Sequence, residues 1–216
     1  MEESKAKIYW AVNLKKIFLR ELEETIDIIT KDDAIRNVVI EFIPEQFIME
    51  MEEQGFTIIS EFIDFWINCL DDVYLEQSGS LNIRRIRENE YQAVSDITIA
   101  CKDYSRGFIG ETPEWMREWN ESENSCIFVA EIDSEIVGMC CVSLWLREIA
   151  VKPNNHSQRI GLNLMTHAIN WGKSQGAVRS FLASDVDNDK AIKLYERLGY
   201  VRKTGRGQIN MGSTIR

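Results

Sequence analysis

The stretch VKPNNHSQRIGLNLM, residues 151–165, places two basic side chains and one glycine between a short apolar run and a helical pattern. A helix N-terminus presents unbonded backbone N–H groups and the positive end of the helix dipole, and both attract anions such as phosphate. Lys152, His156 and Arg159 concentrate positive charge here, although the chain has a formal net charge of −10. The stretch therefore predicts an anion-binding turn.

The elements around this turn follow from the spacing of apolar residues. LWLREIAV, residues 144–151, predicts a strand, and residues 158–175 predict a helix that ends at Gly176. AVRSFLAS, residues 177–184, predicts a buried strand, and NDKAIKLYERL, residues 188–198, a second amphipathic helix stopped by Gly199. YVRKT then begins a final pair of strands that Gly205 and Gly207 would turn.

Upstream of the turn, the pattern predicts one strand, two helices and a hairpin. LNIRRIR alternates like a strand, and ENEYQAVSDITIAC has helical spacing. TPEWMREWNE predicts a helix with Thr112 as N-cap and Pro113 at its first position. SCIFVAEIDSEIVGMCCVSL predicts a hairpin, because two apolar runs flank Asp133 and Ser134.

The composition narrows the class of protein. A chain of 216 residues with 44% apolar content can bury a core, in one domain or two. The negative charge argues against nucleic acid or an anionic membrane as a general partner, and the interrupted apolar runs favour a cytoplasmic protein. The five cysteines form no CxxC pair, and no histidine stands near them at the spacing of a metal site. The sequence therefore favours neither a disulfide framework nor a metal site.

The order of these elements resembles the GCN5-related N-acetyltransferase (GNAT) family over residues 81–216. The resemblance depends on REIAVKP followed by a loop and a helix, and on NDKAIKLYERLGY, which is similar to the family signature of Asn, Ala, Leu, Tyr, Gly and an aromatic residue. It implies an α/β fold with a mixed, mostly antiparallel central sheet flanked by helices. It also implies transfer of an acetyl group from the co-substrate acetyl-CoA to an amine, without a metal.

The resemblance leaves two registers for the loop. In the ungapped register His156, Arg159 and Gly161 stand where the family has Gln or Arg, then Gly, then Gly or Ala. The other register uses Gln158, Gly161 and Asn163 but needs a two-residue insertion that nothing later requires, so we take the ungapped one. The motif then departs from the family at its first position and at its first glycine.

Arg159 in place of glycine has opposing consequences. An arginine at positive φ costs about 1 kcal/mol, whereas a guanidinium beside a phosphate adds hydrogen bonds of about 1.5–3 kcal/mol. Its side chain also has the size to block the ligand. Two hypotheses follow: an N-acetyltransferase with a working loop, or a catalytically inactive binding or assembly module that retains the fold.

The resemblance also assigns roles to individual residues. Because a lysine-like amine has a pKa near 10.4, only about one part in 2,500 is neutral at pH 7, and a base must remove its proton. Glu148 is the candidate base, directly or through water, and Tyr195 the candidate acid for the leaving thiolate. Asn188 would cap its helix and bind the pantetheine arm. The other candidate acetyl-CoA contacts are the backbone groups of Ile149, Ala150 and Val151 and the loop residues His156, Ser157, Gln158, Arg159, Ile160 and Gly161.

The acceptor site is expected in SRGFIGETPEWMREW, residues 105–119. Phe108, Trp115 and Trp119 are either walls of a pocket or part of the core, and we favour the core. Glu111 and Glu114 suit a cationic amine. The sequence leaves open whether a small molecule or a peptide supplies that amine.

The first part of the chain resembles its last part. KIYWAVN, DAIRNVVIE and FIMEMEEQGF parallel LREIAVK, GAVRSFLAS and AIKLYERLGY, although α/β segments also match by chance. We predict that residues 1–76 are a truncated copy and residues 81–216 the acetyltransferase domain, with a boundary at 71–80. The copy has no glycine-bearing loop, and Met51 and Pro44 stand at the places of Tyr195 and Asn188. It would shelter a face of the domain or pair two chains as a homodimer.

Overall fold

The computed structural model describes residues 4–73, 81–102, 110–143, 146–156 and 158–215. Its helices are α1 (Lys15–Ile29), α2 (Ile48–Glu53), α3 (Tyr91–Ala100), α4 (Pro113–Glu121), α5 (Ile160–Ser174) and α6 (Asp189–Arg197). Its strands are β1 (Ser4–Ile8), β2 (Ile35–Ile40), β3 (Thr57–Ile67), β4 (Asn82–Arg85), β5 (Cys126–Ile132), β6 (Glu135–Val142), β7 (Leu146–Val151), β8 (Ser180–Asp185), β9 (Val201–Arg202) and β10 (Ile209–Thr214).

Two compact units divide the chain. One consists of Met1–Ile63 with Gly205–Arg216, and the other of Asp64–Thr204. These bounds differ from the predicted domains, 1–76 and 81–216, and residues 74–80 of the predicted boundary lie outside the described residues. The functional division of the chain therefore stays a prediction. No described helix has both the length and the apolar character needed to cross a membrane.

The larger unit contains an antiparallel sheet with the order β4-β5-β6-β7. The predicted hairpin is present: β5 and β6 pair from Cys126↔Val142 to Ile132↔Glu135. Asp133 and Ser134 turn it with φ of 49° and 67°, the positive values that two-residue hairpin turns need. Thr112 caps α4 as predicted, since its Oγ1 accepts a hydrogen bond of 3.2 Å from the Trp115 N–H.

Helices cover both faces of this sheet. The cores on the two faces are separate because successive side chains of a strand point to opposite sides. The face covered by α3 and α4 buries Val94, Ile97, Met116, Val129, Met139 and Ala150. The face covered by α5 buries Phe128, Ala130, Cys140, Ile160, Leu164 and Ala168. The predicted α/β fold, with a mostly antiparallel sheet flanked by helices, is confirmed.

The sheet ends at β7, because β8 belongs to a second group of strands. β8 neighbours β3, and the end of β3 pairs with β9 through Phe65↔Arg202 and Trp66↔Val201. β8 begins at Ser180, later than predicted, because Ala177 still closes the end of α5 with a 2.9 Å bond from its N–H to the Gly172 carbonyl. Among the described residues no strand pairs with the outer edge of β7, which we call its open edge.

The prediction of a final strand pair turned by Gly205 and Gly207 is wrong. β9 pairs with the end of β3, whereas β10 pairs with β2 and with the beginning of β3. Turn residues determine where a chain reverses but not which strand it joins, and the long, apolar β3 provides the edges that β9 and β10 use.

The smaller unit is built on a parallel pair. β1 and β2 run parallel, joined through α1, and β10 lies antiparallel between β2 and β3. Its core contains Phe18, Leu22, Ile40, Met51 and Phe56. α2 ends at Gly55, whose φ is 84°, and the Phe56 N–H bonds the Met51 carbonyl at 3.0 Å. The helices and strands occur in the predicted order, but the first strand ends at Ile8, whereas the prediction places it at KIYWAVN, residues 7–13.

Candidate active site

The open edge of β7 presents alternate backbone groups. The Lys152 N–H donates to the Val137 carbonyl on β6 at 2.8 Å, and the β6–β7 ladder is regular from there to Glu148. Because backbone groups in an antiparallel ladder alternate in direction, Ala150 bonds to β6 while Ile149 and Val151 face the open edge. Of the three predicted backbone contacts, only Ile149 and Val151 are turned outward.

The carbonyl of Val151 already has two partners. His156 Nε2 lies 2.8 Å from it, and Cys101 Sγ, at the end of α3, donates to it at 3.3 Å. The imidazole therefore ties the loop to the strand that precedes it. In this structure His156 anchors the loop, a role that its place in the sequence motif does not indicate.

Arg159 is the N-cap of α5 and has left-handed backbone geometry, with φ 61° and ψ 13°. This conformation favours glycine, which is the residue that the ungapped register expects here. The first bond within the helix runs from the Asn163 N–H to the Arg159 carbonyl at 3.0 Å. The amides of Ile160, Gly161 and Leu162 therefore need partners from outside the helix.

The described side chains just before α5 point largely to solvent. Gln158 and Arg159 are exposed, and Arg159 has no ion pair with a described residue. Lys152 is less available, because its Nζ lies 2.6 Å from Glu135 Oε1. Ser157, another predicted contact, lies outside the described residues.

Gly161 brings the first turn of α5 close to β7 and α6. A β-carbon at this position would lie 3.5 Å from Leu194 Cδ2, 3.8 Å from Ile149 Cδ1 and 3.9 Å from Val151 Cγ2. These are ordinary contact distances, so alanine fits here as well. Leu194 immediately precedes Tyr195, and the helix that carries the candidate acid therefore borders the same strand and loop.

On α6 the predicted residues occupy defined positions. Asn188 Oδ1 accepts a 3.2 Å bond from the Ala191 N–H and caps the helix. Tyr195 is buried, and its ring centroid lies 5.9 Å from that of Phe65 and 6.1 Å from that of Tyr200. Burial, and secondarily Tyr200, raises the pKa of the Tyr195 phenol well above its usual range. The hydroxyl therefore stays protonated at neutral pH.

Glu148 belongs to a partly buried polar cluster with Glu111 and Arg147. Its side chain shares the α3–α4 face of β7 with Ala150, and its Oε1 has no hydrogen-bond partner among the described residues. The pKa of Glu148 is raised to about 8, chiefly by burial and secondarily by the nearby charge of Glu111, while Arg147 opposes the rise. Such a carboxyl group is matched to proton transfer near neutral pH.

Two tryptophans border the same cluster. Arg147 lies 3.8 Å from Glu111 Oε1 and 5.9 Å from the ring centroid of Trp115, which stacks on Trp119 at 5.3 Å. Both tryptophans pack against the core of this face, as we expected, while Trp115 also contacts the cluster. Glu114 is exposed, and Phe108 lies outside the described residues. The sequence interpretation missed Arg147; its position beside Glu148 was the available signal.

The described ranges contain no group of three or more His, Cys, Asp and Glu side chains that could hold a metal ion.

Comparison with known proteins gives one family. The model of the acetyltransferase (GNAT) family matches residues 91–200, which are 110 of the 216 residues. A probable N-acetyltransferase of Xenopus laevis, camello, is 33% identical over 87 residues. That alignment covers 37% of this chain and 40% of the relative, so the chain matches less than half of that protein's length.

Two solved structures have a similar fold. The GCN5-related N-acetyltransferase of Sphaerobacter thermophilus aligns with a TM-score of 0.68 at 17% identity, over 93% of this chain and 68% of that one. A tandem GNAT protein of the clavulanic acid biosynthesis pathway aligns with a TM-score of 0.67 at 12% identity, over 99% of this chain and 76% of that one. At these identities the comparison establishes the fold alone.

Proposed function

Because the chain belongs to the acetyltransferase (GNAT) family, we propose that it transfers an acetyl group from acetyl-CoA to a cationic primary amine. The observation that carries the proposal is the open edge of β7 beside the first amides of α5, which have no partner within the helix. A strand edge can bind an amide-bearing arm, and a helix N-terminus can bind its phosphates.

The residues present fit acetyl-CoA. The outward backbone groups of Ile149 and the Val151 N–H are available to pair with the pantetheine arm, whereas the Val151 carbonyl is engaged by His156 and Cys101. The amides of Ile160, Gly161 and Leu162 would bind the pyrophosphate. Arg159 meets the backbone requirement for positive φ, and its exposed guanidinium is free to add a charge-assisted bond.

Glu148 is the proposed base. Acetyl-CoA supplies an acetyl group activated as a thioester, but an ammonium group must first lose a proton. Moving that proton from an amine of pKa about 10.4 to an ordinary glutamate of about 4.3 costs about 8 kcal/mol. With a pKa of about 8, Glu148 reduces the difference to about 2 units, or about 3 kcal/mol.

Tyr195 is the proposed acid. Glu148 takes the first proton of the ammonium group, and the nitrogen lone pair forms the C–N bond as the C–S bond breaks. Tyr195 gives its phenolic proton to the departing sulfur and regains a proton from the second N–H of the former amine. Glu148 then releases its proton to water, so that protons and charge balance.

The alternative is an inactive binding or assembly module. Two departures from the family motif favour it. The His156 imidazole is engaged with the Val151 carbonyl, and Arg159 stands where the family has a glycine. A protein of this kind would keep the fold and the caps while having no affinity for acetyl-CoA.

Calorimetric titration with acetyl-CoA separates the two hypotheses. We expect micromolar binding by the native chain and by Arg159→Gly, with weaker binding by Arg159→Asn, which tolerates positive φ but lacks the charge. Binding by the glycine variant alone would mean that the arginine closes the site. No binding by any of the three chains would reject the proposed function.

A further inference from the structure

We propose that Glu111 is a positioning residue that acts through Glu148: its carboxylate strengthens Glu148 as a base and attracts an acceptor that arrives as an ammonium ion. The inference rests on the proposed function and assigns its acceptor class, amines that are cationic at neutral pH. It depends on the hydrogen bonds that hold Glu111, on its ion pair with Arg147 and on the net charge of these two groups near Glu148.

The backbone of Glu111 is fixed by two buried hydroxyl groups of α3. Its N–H donates to Thr98 Oγ1 at 2.9 Å, and its carbonyl accepts from Ser95 Oγ at 2.7 Å. Ser95 and Thr98 are 1% and 0% exposed, so these bonds are shielded from water. Glu111, two positions before α4, is thereby held against α3.

Glu111 and Glu148 are both withdrawn from water and share Arg147 as neighbour. Arg147 Nη2 lies 3.8 Å from Glu111 Oε1, and half of its side chain is exposed, whereas the Glu111 side chain is 21% exposed. The Glu111 carboxylate is therefore only partly neutralised. The remaining negative charge acts on Glu148, whose Oε1 has no partner among the described residues.

The other described titratable groups that act on Glu148 are two thiols, which are neutral. Cys141 lies opposite it on β6, and Cys101 ends α3. Burial raises the pKa of both thiols, and the charge of Glu148 raises it further. Among the described residues, the charge around Glu148 is therefore set by Glu111 and Arg147, which act in opposite directions.

This arrangement has a consequence for the acceptor. When like charges lie close together in a poorly solvated site, one group binds a proton more strongly and both attract a cation. An ammonium acceptor therefore meets a negative field and, in Glu148, a base whose proton affinity is raised. A neutral acceptor, such as a hydroxyl compound, gains nothing from Glu111.

The test is a carbon-13 NMR titration of the glutamate side-chain carboxyl groups in the whole chain, with the Glu148 signal assigned by Glu148→Gln. In Glu111→Gln we expect Glu148 to titrate about one pH unit lower than in the native chain, because the like charge is gone. In Arg147→Met we expect it to titrate higher. Glu114→Gln, an exposed change in the same segment, should leave the titration in place.

The two possible failures are distinguishable. This titration needs neither acetyl-CoA nor turnover, so a Glu148 titration that is unmoved in Glu111→Gln overturns the inference even if the protein transfers acetyl groups. An unfolded Glu111→Gln chain would show random-coil spectra, and Arg147→Met then decides: a titration that fails to rise also overturns the inference. Absence of acetyl-CoA binding overturns the proposed function instead.

A kinetic comparison checks the acceptor class. With a cationic primary amine, Glu111→Gln should raise KM about tenfold and move the acidic limb of the kcat/KM profile to lower pH. A uniform fall in kcat/KM without movement of that limb would assign Glu111 to structure alone.

Discussion

Residues 4–63 and 146–202 have the same succession of elements. Each has a strand, a helix of 15 residues, a strand of six residues, a short helix and a further strand. The short helix of each ends in a glycine of positive φ, 84° at Gly55 and 89° at Gly199, followed by a buried aromatic residue. These parallels favour our prediction of a truncated copy, which stays a prediction.

The two regions differ where strand meets helix. α1 begins after Leu14, an extended N-cap with φ −105°, whereas α5 begins after the left-handed Arg159. Lys15, the first residue of α1, binds Glu50 on α2 and the carbonyl of Gln46, so contacts within the region hold the start of this helix. A strand and a helix can thus be joined without a left-handed N-cap, which agrees with our proposal that the turn before α5 binds a ligand.

The first prediction has the largest expected effect and compares Tyr195 on α6 with Met51, the residue at the corresponding position of α2. Tyr195→Phe should lower kcat for acetyl transfer at least about 100-fold, because a positioned acid contributes about 10²–10⁴. The affinity for acetyl-CoA should be unchanged, as measured by calorimetry.

Met51 occupies the equivalent position on α2 and provides the control. It is fully buried, and Met51→Leu conserves volume, so kcat should remain within about twofold of the native value. If Tyr195→Phe retained full turnover, Tyr195 would have no part in proton transfer and the two helices would be equivalent in function.

The second prediction compares the pH dependence of two glutamates. The pKa of Glu148 in the folded chain is about 8, above the ordinary value of about 4.3, so native stability falls as pH rises through this window. Relative to the native chain, Glu148→Gln should gain on the order of a few kcal/mol in unfolding free energy between pH 5 and pH 9. Denaturant unfolding at both pH values measures this.

Glu50 should show the opposite sign. Its bond with Lys15 holds the pKa of Glu50 below its ordinary value, so the stability it contributes is present above the unfolded pKa and is lost as pH falls through the folded one. Glu50→Gln should therefore lose stability near pH 7 and approach the native chain in acid. Equal pH profiles for the two variants would remove the electrostatic contrast between the regions.

Local signals in the sequence predicted much of the fold. The hairpin turn at Asp133 and Ser134, the Thr112 cap and the glycine ends of α5 and α6 each depend on a few adjacent residues. Such features are readable because the residue type itself determines the backbone geometry. The strand, helix and hairpin assignments were accordingly correct in type.

Long-range features could not be predicted. The partners of β9 and β10 depend on β3, which precedes them by more than a hundred residues. Whether Ala150 or Ile149 faces the open edge depends on the register of β6 against β7. The contact of Arg147 with Glu111 joins residues that are distant in sequence, and only the folded chain brings them together.

The last prediction concerns the feature that the two regions share, and its effect is the smallest. Gly55→Ala and Gly199→Ala should each lower the unfolding free energy by about 1 kcal/mol, because alanine is strained at positive φ. Among the described residues, a β-carbon at Gly55 would meet nothing within 4 Å, and one at Gly199 would meet only Val73 Cγ2 at 3.8 Å, so steric contacts do not distinguish the two positions.

Gly172→Ala, inside α5, is the control and should stabilise the chain slightly. The described neighbour of its new β-carbon would be Ala177 Cβ at 3.7 Å, an ordinary contact distance. Denaturant unfolding of the three variants measures these differences. A loss at one of the two helix ends but not at the other would mean that the shared turn is not structurally equivalent in the two regions.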